Sequence, residues 1–135
     1  MMPDIPFLVL GLLNDIGWII HLTAGIIYFS KNGFHYVLDY LALIALVAVM
    51  FGVAYNIYLN KIHEKEIATK RQKYLGFGMT VYSGAAGAVV GILQIVMCAG
   101  ASPQLVWIVI GGSLNFAAGL PIYLSFKKGI FYGVH

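Results

Sequence analysis

Asp15 and His21 stand within the first long apolar run of the chain, which extends from Pro6 to Phe29. An ionised carboxylate at such a place in a lipid-spanning helix costs on the order of 2.5 to 3.5 kcal/mol on insertion scales, so something must compensate for it. A carboxyl group whose ionisation is balanced by its surroundings can take up and release a proton, and a cationic substrate can displace that proton. This is the chemistry of a proton-coupled carrier. The alternative is a carboxyl paired inside a bundle with Asn14, Thr80 or Asn115, holding helices together. His21 follows Asp15 by six residues, which at 3.6 residues per turn sets it about 120° around a helix. Asn14, Trp18, His21, Gly25 and Tyr28 share one stripe instead. His21 is then either a hydrogen-bonded packing residue or a proton-path residue, able to meet Asp15 of a second subunit. His35, His63 and His135 fall in loops or at the end of the chain, so no second histidine within a span supports a haem.

Asp39 opens the second apolar run, where a helix dipole favours negative charge and Lys31 is near in sequence; it reads as structural or as an outer gate. Asn14, Asn56, Gln94 and Asn115 give each apolar run one carboxamide. Interhelical hydrogen bonding is their ordinary use, and a hydrated polar cavity the other. Trp18, Tyr55, Phe77 and Tyr82 could line a site for an aromatic or cationic ligand through their ring faces. Small residues recur at helical spacing. Gly76, Gly84, Gly87 and Gly91 lie on one face with Thr80 and Gln94; Ala45, Ala48 and Gly52 lie on a face with Asn56; Gly112 and Gly119 flank Asn115. Such stripes let helix backbones approach closely. No phosphate loop, nucleophile elbow or HExxH pair is present, and the single Cys98 can form neither an internal disulfide nor a metal cluster. The expectation is a protein that is not an enzyme and carries no cofactor or metal.

The elements that must position these residues follow from composition. Of 135 residues, 61% are hydrophobic and 10% charged, against roughly 45 to 50% and about 25% for soluble domains. The missing solvent is lipid. Four runs, Pro6 to Phe29, Tyr36 to Leu59, Tyr74 to Gly100 and Gln104 to Phe126, each exceed the roughly 20 residues that a bilayer crossing requires. The N-terminus lacks a basic n-region and a cleavage site, so the first run is expected to stay in the membrane. Backbone satisfaction in lipid makes the runs helices, and the runs are far too long for barrel strands. Asn32-Gly33 and Ser102-Pro103 are turn chemistry, predicting two antiparallel hairpins. Pro121 predicts a kink in the fourth helix. The fold class is therefore all-α, a four-helix transmembrane bundle forming a single integral membrane domain over residues 1–135.

Lys61, Lys65, Lys70, Arg71 and Lys73 lie between the second and third runs, Lys127 and Lys128 follow the fourth, and Lys31 alone is left for the other side. The positive-inside rule places both termini and the Lys61 to Lys73 segment in the cytoplasm, for a multi-pass protein of the cell membrane. Glu64 and Glu66 mixed with lysines predict a helix that extends beyond the bilayer; binding of anionic headgroups is its functional alternative. Tyr36, Tyr74 and Tyr132 suit interfacial anchors. The formal charge of +3 is confined to these flanks, which speaks for topology and against nucleic acid. The segments from Ala24 and from Ala118 echo each other as small pairs with an aromatic exit, as internal repeats of transporters do.

The segment Leu13-Asn14-Asp15-Ile16-Gly17 resembles the first helix of small multidrug resistance transporters, where an acid is the shared proton and substrate site. Tyr82-Ser83-Gly84 looks like that family's aromatic-Ser-Gly motif, and Gly112 with Ala118 and Gly119 looks like its glycine-spaced dimer helix. The resemblance implies Asp15 as coupling carboxylate, Tyr82 as a binding-site aromatic, and Gly112 and Gly119 as dimer contacts.

The resulting expectation is a small proton-coupled transporter for a small molecule or ion. Homo-oligomerisation would build its midplane site around Asp15 with Asn14, Trp18, His21, Tyr82 and Asn115, because four helices enclose little volume. The alternative from another class is a non-catalytic accessory subunit whose glycine faces dock onto a larger membrane complex, with Asp15 paired to a partner's Lys or Arg. A pore lined by the four carboxamides is a third.

Overall fold

A computed structural model describes residues 5–64, 70–99 and 102–127. They form four helices: α1, Ile5–Asn32; α2, Val37–Glu64; α3, Lys70–Gln94; and α4, Pro103–Lys127. A π-helical turn, Ile95–Ala99, ends α3. Each helix contains a stretch long and apolar enough to cross a membrane: Leu8–Asn32, Val37–Tyr58, Gly76–Cys98 and Pro103–Ser125. The protein is thus a four-helix bundle with the features of a small multi-pass membrane protein.

The turns are built as their residues dictate. Gly33 takes a left-handed φ of 67°, and its N–H donates to the Phe29 carbonyl at 3.2 Å, a glycine C-cap that stops α1. Tyr36 then caps α2: the Asp39 carboxylate reaches back to accept from the Tyr36 N–H at 3.0 Å and from the His35 N–H at 2.9 Å, half of a capping box. Stacked rings fill the outside of this turn, Phe29 on Phe34 and Phe34 on Tyr40, each pair with centroids 5.0 Å apart. At the second hairpin Ser102 is the N-cap of α4, its hydroxyl accepting from the Leu105 N–H at 3.3 Å, with Pro103 at the first helical position, where its missing N–H costs nothing. The fourth helix continues through Pro121 to Lys127.

At the opposite end α2 runs past its apolar stretch to Glu64, and α3 starts at Lys70, before its own. The basic segment is therefore helical on both flanks, beyond the apolar stretches. Residues 65–69 lie outside the described residues, as do Gly100, Ala101, Lys128 and Tyr132.

Packing does not follow chain order. The first helix lies mainly against α4, α4 also against α3, and α3 also against α2. Although joined by a short turn, α1 and α2 share little surface, and contacts between them include Tyr28 with Asp39 and Gly25 with Leu46, towards the turn. Small residues decide the pairs. A Cβ on Gly111 of α4 would sit 2.6 Å from the His21 nitrogen of the α1 backbone and 2.8 Å from the Gly17 carbonyl oxygen; one on Gly52 of α2 would sit 2.9 Å from the Thr80 nitrogen of α3. Only glycine allows these backbones so close. Where α1 faces α2, the space above Gly25 is filled by the Leu46 side chain instead.

Candidate functional site

The buried face of α1 comprises Asn14, Gly17, His21, Ala24, Gly25 and Tyr28. Of the stripe expected to hold Asn14, Trp18, His21, Gly25 and Tyr28, all but the partly exposed Trp18 lie on this inward face. Opposite it, α3 turns Gly76, Thr80, Gly84, Gly87, Gly91 and Gln94 inward, and α4 contributes Asn115 between Gly112 and Gly119. Polar groups consequently meet along the centre of a bundle whose outside is apolar.

The central group is Asn14, His21 and Asn115, exposed by 4%, 1% and 0%. Glycines back each of them. A Cβ on Gly87 would overlap the His21 imidazole, one on Gly84 would overlap the Asn115 carboxamide, and one on Gly119 would lie 2.7 Å from Asn14 Oδ1. Gly84 and Gly87 are about one turn apart on α3, and Asn115 and Gly119 one turn apart on α4, so the three side chains follow one another at steps of roughly 5 Å along the bundle. Asn115 Nδ2 donates to the Thr80 carbonyl at 3.0 Å, and Asn56 Nδ2 donates to Thr80 Oγ1 at 3.3 Å, extending the line to α2. Asn14 Oδ1, His21 Nδ1 and Asn115 Oδ1 have no hydrogen-bond partner among the described residues. Buried polar atoms are normally satisfied, and here three without a partner among the described residues lie close together.

A second cluster sits at the α1–α2 turn. The Asp39 carboxylate, 1% exposed, accepts from Tyr28 Oη at 3.2 Å and from Gln94 Nε2 at 2.8 Å, in addition to its two backbone donors. Four donors satisfy it, and it ties α1, α2 and α3 at one end. Gln94 Oε1 is left without a partner among the described residues, where α3 passes into its π turn, a departure from regular helix often found at functional positions. Between this cluster and His21 lies an apolar block of Ala24, Tyr28, Leu105 and Ile108.

Asp15 lies elsewhere. One residue on from Asn14, it is turned about 100° away and projects from the outer surface of α1, where Trp18 Nε1 donates to its Oδ1 at 3.0 Å. Trp18 is partly exposed beside it. Tyr82 is also on the outside, in a lateral groove of about 780 Å³ lined by α2 and α3 and closed by Tyr123 of α4; the Tyr82 and Tyr123 rings meet edge to face at 5.2 Å. The six residues expected to share one midplane site are therefore divided. Asn14, His21 and Asn115 come together inside, while Asp15 with Trp18 and Tyr82 occupy separate outer faces. Of the other aromatic candidates, Tyr55 packs by Gly76, and neither it nor Trp18 lines the groove around Tyr82. Gly112 and Gly119 face inward, against Gly84 and Ala88 of α3 and against Asn14 and Val81, so they serve contacts within the chain.

No family model, curated protein or solved structure matches this chain. Its site is read from its own residues.

Thr80, Gln94 and Asp39 belong to the interior array but not to the expected site. For Thr80 and Gln94 the signal lay in their place on the glycine face of α3. For Asp39 it lay in its capping position, which brings a carboxylate to the turn but does not by itself reveal Gln94 across the bundle.

Proposed function

We propose that the protein is a small, non-enzymatic membrane transporter, proton-coupled, whose path runs through the interior array of Asn14, His21 and Asn115, and that it resides in the cell membrane with both termini cytoplasmic. The observation that carries this reading is the set of orphaned polar atoms on those three side chains within the apolar spans. Burying a polar atom without a partner in hydrocarbon is costly. A path for a protonated or hydrogen-bonding solute needs such atoms. His21 is the one imidazole of this array, and Asn14 and Asn115 supply carboxamides on either side. The apolar block of Ala24, Leu105 and Ile108 serves as the barrier on the side of the turns. The charge asymmetry of the flanks supports the orientation.

Purified protein in liposomes containing a pH-sensitive dye tests this. Imposed pH gradients, alone and with candidate cations, should dissipate faster than in protein-free liposomes. His21→Ala and Asn115→Leu should each reduce that flux at least about tenfold, the effect of raising a barrier by about 1.4 kcal/mol, whereas Asp15→Asn should leave it. Flux equal to that of empty liposomes, or unchanged in both interior variants, overturns the reading.

One observation favours the second reading, an accessory or assembly subunit of a larger membrane complex: the carboxylate of Asp15 faces outward, where Trp18 is its one partner among the described residues. Loss of a native complex in Asp15→Asn with flux intact would establish that role.

A further inference from the structure

The outer face of α1 carries Leu8, Leu12, Asp15, Ile19 and Ile26, all exposed, with Leu22 half-buried among them. Their spacing alternates between four and three residues, the pattern of a helix that packs lengthwise against another helix. A polar residue at one position of such a seam fixes register and partner. Asp15 is that residue, two turns in from Leu8, which at 1.5 Å per residue is roughly 10 Å inside the span. A groove of about 370 Å³ between α1 and α4 continues the same face, lined by Ile19, Thr23, Ile27 and Trp107 among others. The indole of Trp18 holds one carboxylate oxygen, and among the described residues no cation pairs with it.

We propose that this face docks a transmembrane helix of another protein, one bearing a Lys or Arg side chain at the depth of Asp15. Charge complementarity selects that occupant. Within its four apolar spans the chain has a single Lys or Arg, Lys31, at the opposite end of α1 from Asp15, and the His21 imidazole is buried in the bundle. A second copy therefore has no cation to offer at this depth and would set carboxyl against carboxyl. A partner cation and Asp15 would each relieve the other of the cost of lying in hydrocarbon, while branched side chains of the partner fill the seam above and below. The inference concerns the outer face, rests on the observation behind the accessory reading, and stands apart from transport through the interior.

The full chain, reconstituted in phosphatidylcholine nanodiscs, is tested with a fluorescent Leu-rich transmembrane peptide bearing one Lys two turns from its end, against the same peptide with Leu in place of Lys. Energy transfer should show the Lys peptide binding at least about fivefold more tightly, the size of one interhelical polar contact in lipid. That preference should vanish with Asp15→Leu, a change on an exposed position that leaves the interior untouched. Ile19→Trp, which keeps Asp15 but overfills the seam, should weaken binding of both peptides. Equal binding of the two peptides to the native chain overturns the proposal. So does native mass spectrometry showing a homodimer that Asp15→Leu dissociates, since a second copy would then hold the face. Proton flux is not read in any of these arms, so a chain that transports nothing can still bind the Lys peptide.

Discussion

Asn14 and Asp15 are neighbours in sequence with opposite surroundings, one enclosed among helices and the other on the lipid side. The difference is 100° of helix rotation. Since the phase of α1 is set by Gly17, Gly25 and His21 meeting their partners, Asp15 has no choice of face. The same crowding makes Gly87 a sensitive position on α3. Gly87→Ala places a methyl group into the His21 imidazole, and overpacking of this kind costs about 1 to 3 kcal/mol. Unfolding of the detergent-solubilised protein should register that loss, and flux should fall with it as the imidazole is displaced. Asn115→Leu behaves differently. It removes one hydrogen bond, to Thr80, worth about 0.6 kcal/mol on average in membrane proteins, together with an orphaned oxygen, so its stability should remain within about 1 kcal/mol of native while its flux drops. A parallel loss of stability in both variants would mean that the interior array is structural only.

At the scale of elements, the α1–α2 turn holds more than a hairpin. Asp39 caps α2, and its other oxygen joins Tyr28 and Gln94, so one carboxylate links three helices. Asp39→Ala removes hydrogen bonds to a charged acceptor from all of them and should cost roughly 2 to 3 kcal/mol. Hydrogen exchange would show the loss first at the N-terminal turn of α2 and at the end of α3. Gly33→Ala tests the turn backbone alone: a left-handed φ of 67° costs a residue with a Cβ roughly 1 to 2 kcal/mol, measurable in the same unfolding assay. Much of this was legible beforehand. Asn32-Gly33 and Ser102-Pro103 read as turns, and Asp39 as a residue suited to a helix start. The link from Asp39 to Gln94 was not, because those residues are far apart in the chain and nothing local to either requires the other. The π turn after Gln94 has no sequence mark that separates it from ordinary helix.

Across the whole molecule, α1 is fastened chiefly through α4 although it is tethered to α2. Gly17→Leu should therefore act on one side of the bundle. A side chain at that position drives into the Asn115 backbone of α4, and α1 should lose hydrogen-exchange protection while α2 and α3 keep theirs, because opening follows packing units and not chain order. Equal loss in all four helices would show the bundle to be one cooperative unit.

Composition alone determined that the chain forms four apolar helices joined by short turns and flanked by positive charge, since length, hydropathy and backbone satisfaction in lipid leave no other arrangement. Helical periodicity also sorted residues into stripes: Asn14 with His21 on α1, and the glycines with Thr80 and Gln94 on α3. Tertiary packing alone decided which stripe faces inward and which helices become neighbours. In lipid, hydrophobicity cannot make that choice, because tails and side chains are equally apolar, and the decision falls to close backbone approach at glycines. That rule placed Asn14, His21 and Asn115 in the centre, and it left Asp15, the residue with the strongest chemical signal in the sequence, on the outside.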